Sequence, residues 1–191
     1  MKRILFVCTG NTCRSPMAEA MLKDMAERQG VALEIRSAGV STIDGLAVSR
    51  NAIESLREKN IEHRGASRAL TGEAVEWADL ILTMTAGHKR GLLQGFPEAV
   101  DKTHTLKEYA HQDDVALADI QELERLYSEM HLKLALGQQL SVGERSRLLE
   151  LERRIPGTDI ADPFGGTLEM YRSCANEIEE GLRKLLGKLQ Q

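Results

Sequence analysis

At 191 residues the chain has room for one ordinary hydrophobic core and too little for two, so a single domain over 1–191 is expected and any second unit has to be an insertion. Hydrophobic residues make up 42% and charged residues 28%, and a net charge of -4 leaves no basic footprint for nucleic acid. The longest early apolar run, Ile4 to Cys8, is too short for a signal-peptide core or a membrane span, so no membrane association is expected and the chain is placed in the cytoplasm.

Arg3 to Cys8 reads as a strand, and the amphipathic stretch from about Ser15 to Gln29 as the helix that follows it, closed by Gly30. Leu33 to Ser37 reads as the next strand and Ala47 to Lys59 as a second helix, ending before Asn60. A third strand is expected over Asp79 to Met84 and a weaker fourth near Lys102 to Leu106. This alternation argues for an α/β fold with a parallel sheet covered on both faces. From about 112 to 155 strand signals vanish. Ile120, Leu123, Tyr127, Met130 and Leu134 recur at alternating three- and four-residue spacing, and Leu148, Leu151 and Ile155 repeat the pattern. With Gly137 to Gly143 between the two runs and Ser141 as a helix cap, the segment reads as an inserted antiparallel helical hairpin. A last helix, Leu168 to Leu189, turns Ile178, Leu182, Leu185 and Leu189 toward the sheet.

The chemistry concentrates between the first strand and the first helix, in Cys8, Thr9, Gly10, Asn11, Thr12, Cys13, Arg14 and Ser15. A loop at that junction turns backbone N–H groups into a concavity at the positive end of a helix, which is a place for an anion. A thiol at its start feels both the helix end and the Arg14 guanidinium, and both favour a nucleophilic thiolate at Cys8. Arg14 offers a planar fork to two phosphate oxygens, a geometry lysine lacks. Gly10 permits the tight curl, Asn11 tolerates left-handed backbone, and Ser15 can donate a hydrogen bond to the sulfur as it leaves phosphorus. The chain has no G-x-x-x-x-G-K-[ST] run, and no G-x-G-x-x-G follows the first strand.

This loop, continued by Pro16, Met17, Ala18 and Glu19, resembles the signature of the low-molecular-weight protein tyrosine phosphatase family, and Ser37-Ala38-Gly39 and Asp162-Pro163 follow in the family's order. The resemblance covers nearly the whole chain outside the hairpin. It implies a four-stranded parallel sheet flanked by helices, a phosphocysteine intermediate on Cys8, and Asp162 as general acid. From the residues alone, Asp162 to Gly166 could equally be a turn, and Asp159 is the nearest rival for the acid. Thr9 to Cys13 and Ser15 then cradle the phosphoryl group, with Ser37 supporting Asn11. The family often braces that asparagine with a histidine, where this chain has Gly65, so His63 or a water is left to substitute.

Within the family, tyrosine-specific members flank the pocket with aromatic rings, whereas here Phe164 is followed by Gly165 and Gly166. Thr12 stands where those enzymes carry a larger aliphatic residue, and the loop is similar to that of bacterial protein-arginine phosphatases. The expected substrates are therefore phosphorylated proteins, phosphoarginine first and phosphotyrosine second, with Asp162 facing the guanidinium N–H groups and Thr12 aligning the scissile nitrogen or a water. Thr12 could instead satisfy only its own backbone.

Three cysteines make no even-numbered disulfide framework. Cys13 is placed to trap an oxidised Cys8 as a reversible disulfide or simply to pack, and Cys174 on the last helix reads as buried and inert. Arsenate reduction needs thiols to relay a disulfide, which Cys174 does not supply. His88, His104, His111 and His131 lack metal-ligand spacing and read as surface residues, so no metal or cofactor is expected. A non-catalytic phosphoprotein-binding module is the rival from another class, although such a module gains little from a reactive thiol opposite a carboxyl. The hairpin ends shortly before Asp162 and reads as a lid, a partner contact or a dimer seam, or as a helical pair packed only on itself.

Overall fold

The first strand, β1 (Lys2–Cys8), shows why the sheet has helices on both sides: successive side chains point to opposite faces, yet Ile4, Leu5, Phe6, Val7 and Cys8 are all buried. Ile4, Phe6 and Cys8 enter one core with Met17 and Met21 of α1 (Arg14–Arg28), Leu56 of α2 (Arg50–Arg57) and Ile178, Leu182 and Leu185 of the last helix. Leu5 and Val7 enter a second, smaller core with Val75, Leu92 and Ala99. The computed structural model describes residues 1–111, 114–154 and 157–190. No helix among the described residues is long and apolar enough to cross a membrane.

The described residues form two compact units, one of residues 1–110 with 158–191 and one of residues 111–157. In the first, β2 (Leu33–Gly39), β3 (Leu80–Thr83) and β4 (Thr103–Thr105) join β1 in a four-stranded sheet of order β2-β1-β3-β4. Every pairing is parallel, with Cys8 opposite Gly39 and Val7 opposite Thr83. The expected second helix is shorter than its pattern suggested: Ala47 pairs with Ala66 in an isolated bridge, Ser49 is the N-cap, and Asn60 at φ 60° ends the turn.

Three helices had no counterpart in the sequence reading, α3 (Gly72–Trp77), α4 (Ala86–Gly95) and the five-residue α5 (Leu106–Ala110). The first has six residues, and Lys102 Nζ caps its end by donating to the carbonyls of Val75 and Ala78 at 2.7 and 2.9 Å. The second carries Gly87, Gly91 and Gly95, poor helix formers. Its first turn is fixed instead by Thr85, which accepts from His88 N, and by Asp159, which accepts from Ala86 N at 2.7 Å. A 3₁₀ turn over Pro97–Lys102 and the short α5 (Leu106–Ala110) flank β4.

The second unit is the expected antiparallel hairpin, α6 (Asp114–Ala135) and α7 (Val142–Arg154). Ser141 caps α7 and exchanges bonds with Glu144, while Gly137 at φ 70° closes α6. The expected seam holds in part: Leu151 is buried and Ile120, Leu123, Tyr127, Met130 and Leu148 are half-buried, whereas Leu134 is exposed, Leu126 is buried without having been expected, and Ile155 lies outside the described residues. Polar ties between Arg147 and Glu122, Lys133 and Glu144, Arg154 and Asp119, and Tyr127 and Glu152 set the pairing of the two helices. The last helix of the first unit, α8 (Leu168–Leu189), buries Ile178, Leu182 and Leu185 as its spacing predicted.

Candidate active site

The chain crosses from β1 to β2 on one side and from β2 back past β1 to β3 on the other, so the strand order reverses at the C-terminal end of β1 and a crevice opens there. Cys8 is the last residue of β1, and five residues later α1 begins at Cys13 as N-cap. The intervening loop is held from outside, with Val40 N donating to Cys8 O, Ser41 N to Thr9 O and Ser49 N to Thr12 O at 2.8 to 3.0 Å. Gly39 makes this approach possible, since a Cβ there would lie 2.6 Å from Thr9 O and 3.0 Å from Asn11 N. Asn11 takes the left-handed backbone that its residue type tolerates, at φ 52°.

A directed chain of hydrogen bonds ends on the Cys8 sulfur. Ser37 Oγ donates to the Glu19 carboxylate at 2.5 Å, so its oxygen accepts from Asn11 Nδ2 at 2.8 Å. The other Nδ2 proton goes to Ser15 Oγ at 2.8 Å, and Arg68 N donates to Asn11 Oδ1 at 2.8 Å. Ser15 therefore keeps its own proton for Cys8 Sγ, 2.9 Å away, and Asn11 N donates to the same sulfur at 3.3 Å. Asn11 and Ser15 are fully buried, so the bonds are not traded for water. Two donors and the N-terminus of α1 thus converge on this sulfur.

Arg14 is buried with its guanidinium spread between two partners: Nη1 donates to Ile160 O and Nη2 faces Asp162 Oδ2, each at 3.0 Å. Asp162 is half exposed, and its second oxygen accepts from Phe164 N at 3.2 Å, so the turn and the carboxyl facing the loop are the same structure. Cys8, Thr9, Gly10, Thr12, Cys13 and Arg14 line a cavity of about 190 Å³ together with Asp162 and Phe164. Asp159 is not among these residues and is spent on the start of α4. The arrangement brings an electron-rich sulfur, an anion-binding fork and a carboxyl together around a space suited to a phosphoryl group.

Several placements differ from the sequence reading. His88 is not a surface residue: it is buried, with Nε2 2.7 Å from Thr9 Oγ1 and Nδ1 3.0 Å from Thr85 Oγ1. His104 is half-buried against the Tyr109 ring, at 5.4 Å between centroids, and His131 is exposed. His63 does not take over the bracing of Asn11, whose partners are Ser37, Ser15 and the Arg68 backbone; Glu19 anchors that chain, and His63 packs beside Gly65. Tyr171 joins the site from α8, its hydroxyl 3.2 Å from Cys13 Sγ and accepting from Ser49 Oγ at 3.0 Å. Burial and the Cys13 contact push that phenol up to about 12. Burial likewise pushes the Cys174 thiol up to about 12, in keeping with the inert role expected of it. Glu19 stands four residues after Ser15, one turn along α1, and so had a local signal; His88, Tyr171 and the Ile160 carbonyl had none.

The model for the family described as Low molecular weight phosphotyrosine protein phosphatase matches residues 3–133. The chain is 38% identical over 188 residues to a protein-arginine-phosphatase of Geobacillus stearothermophilus, covering 98% of this chain and 96% of the relative. It is 32% identical over 187 residues to the low molecular weight protein-tyrosine-phosphatase PtpB of Staphylococcus haemolyticus (strain JCSC1435), covering 98% and 96%. Among solved structures, a cysteine-to-serine mutant of YwlE arginine phosphatase with a phosphorylated active-site serine superposes with a TM-score of 0.73 at 35% identity, covering 99% of this chain and 96% of that one. The chain belongs to the low molecular weight phosphotyrosine protein phosphatase family.

Proposed function

We propose that this chain is a protein phosphatase that removes phosphoryl groups from phosphoarginine in proteins by way of a phosphocysteine on Cys8. The observation that carries this reading is the Cys8 sulfur, held by Ser15 and Asn11 at the mouth of α1 and sharing one cavity with the Arg14–Asp162 pair. In the first step the sulfur attacks phosphorus, Arg14 and the loop N–H groups of 9–15 hold the equatorial oxygens, and Asp162 delivers a proton to the departing guanidine nitrogen. In the second, the Asp162 carboxylate takes a proton from a water attacking the phosphocysteine. The sulfur leaves as thiolate, stabilised by the Ser15 hydroxyl and the Asn11 N–H.

The arginine preference is supported by the relatives named protein-arginine-phosphatase, by Thr12 in the cavity wall, and by a single aromatic ring, Phe164, at its rim. Phe164 is also the observation favouring the second reading, a protein-tyrosine phosphatase, since its exposed ring can stack on a phenyl ring. Three unpaired thiols support a reducing compartment, the cytoplasm. We read residues 1–191 as one phosphatase domain, with the hairpin inserted and its exposed Leu132 and Leu136 as a contact for a partner or a second copy.

Phosphate release from phosphoarginine-bearing and phosphotyrosine-bearing proteins, by wild type and by Cys8→Ser, tests the proposal. Release by wild type alone supports catalysis at Cys8, and the faster substrate settles the branch. Binding without release points to a recognition module, and release undiminished in the variant removes Cys8 from the mechanism.

A further inference from the structure

The reaction above leaves one buried titratable group at the site unused. His88 on α4 is 8% exposed, and both of its ring nitrogens face threonine hydroxyls, Nδ1 that of Thr85 and Nε2 that of Thr9. Thr9 is itself exposed and forms part of the cavity wall next to Cys8.

Both contacts can run either way, and the tautomer of the ring sets their direction together. As N-cap of α4, Thr85 Oγ1 already accepts the backbone N–H of His88 at 3.1 Å. Its single hydroxyl proton has His88 Nδ1 as an acceptor, at 3.0 Å. That bond requires an unprotonated Nδ1, which places the proton of a neutral imidazole on Nε2, donated to Thr9 Oγ1 at 2.7 Å. Thr9 then receives a hydrogen bond from behind, and its own O–H has to turn away from the ring. Burial, together with the nearby Arg14 charge, holds His88 below the ordinary imidazole range; the Asp162 and Asp159 carboxylates oppose this. Burial and the Arg14 charge both favour a neutral ring, and a proton on Nε2 is the tautomer that leaves the Thr9 hydroxyl free to point into the cavity.

We propose that His88 is a positioning residue that aims the Thr9 hydroxyl into the Cys8 cavity as a hydrogen-bond donor to the bound phosphoryl group. A donor fixed in advance needs no reordering when charge arrives, which is why its orientation matters more than its presence. The inference rests on the phosphatase reading of the cavity, and not on which phosphorylated residue fills it.

Inhibition by inorganic orthophosphate, measured on the intact chain, reads the interaction directly. Thr9→Val is expected to weaken orthophosphate roughly tenfold, the scale of one hydrogen bond to a charged acceptor. His88→Ala should weaken it by a similar factor, the double variant should be no worse than either single one, and His88→Gln should recover part of the loss by offering an amide N–H to Thr9. Additive losses in the double variant would show His88 acting only as packing and would overturn the proposal. Where the His88 variants fail to fold, nitrogen NMR of the wild-type imidazole decides: a proton on Nε2 is expected, and a proton on Nδ1 refutes the argument. If orthophosphate does not bind the wild-type cavity at all, the phosphatase reading fails and takes this proposal with it; intact binding without coupling refutes His88 alone.

Discussion

An alanine at position 39 would place its methyl carbon 2.6 Å from Thr9 O, 2.8 Å from Thr42 Cγ2 and 3.0 Å from Asn11 N. The threonine methyl can rotate away, but the other two atoms are backbone. Ordinary carbon–oxygen approach stops near ~3.3 Å, so the Thr9 carbonyl has to retreat by about 0.7 Å. It cannot do so alone, because Thr9 O accepts from Ser41 N and Cys8 O accepts from Val40 N. The displacement passes into the segment whose Asn11 N–H and Ser15 hydroxyl hold the Cys8 sulfur. Overpacking of this kind costs about 1–3 kcal/mol of stability. A misplacement approaching 1 Å at reacting groups costs up to ~100-fold in rate. Gly39→Ala is therefore expected to lower the urea midpoint and to reduce kcat/KM by more than ~10-fold. Gly45→Ala is the comparison: at φ 91° with no atom within 4 Å of the added carbon, it carries backbone strain of ~1–2 kcal/mol without a clash and should leave kcat/KM unchanged. A Gly39→Ala protein that loses stability but keeps wild-type kcat/KM would show that the loop does not need this close approach.

Asp162→Asn should lower turnover by ~10²–10⁴-fold while the cavity still binds orthovanadate, and turnover near wild type would remove the carboxyl from the proton transfers. Iodoacetamide at neutral pH should label Cys8 first and leave Cys174 unmodified in the folded protein; mass spectrometry showing early Cys174 labelling would contradict the burial that pushes its thiol up to about 12. His63, His88 and His104 are each held below the ordinary imidazole range, with burial the largest cause, so the unfolded chain takes up protons more readily than the folded one. Stability should accordingly fall as pH drops below about 6.5, while the lowered carboxyls of Asp79 and Glu144 act in the same direction only below about pH 4. A urea midpoint that stays level or rises on that acidification would refute the histidine assignment.

What was readable in the sequence is what depends on residues close together in the chain. The run from Cys8 to Ser15 announces a strand end, a tight loop and a helix start within eight letters, and the buried five-residue run before it marks a central strand. Ser37 needed a second segment, yet its place in Ser37-Ala38-Gly39 anticipated its bond to Asn11. Contacts that depend on distant segments were not legible. Tyr171 reaches Cys13 across 158 positions, and Arg14 meets the Ile160 carbonyl across 146, with no periodicity to announce either. The helix at Ala86–Gly95 was hidden for a different reason, because its glycines argue against helix and its first turn is held by Asp159 from far along the chain. In the hairpin the spacing rule found half-buried positions at Ile120, Leu123, Tyr127 and Met130 but missed the buried Leu126 and carried the stripe one turn too far, to the exposed Leu134.

The contact between Arg14 and Asp162 gives the buried guanidinium a partner while the crevice is empty. With a carboxylate 3.0 Å from the guanidinium, a simple monovalent anion such as chloride finds little attraction there. A phosphoryl dianion brings more charge and a matching shape, and it draws the guanidinium fork toward itself. The Asp162 carboxyl it displaces also lines the cavity, so one guanidinium nitrogen couples the arrival of the phosphoryl group to the freeing of the group proposed for the proton transfers.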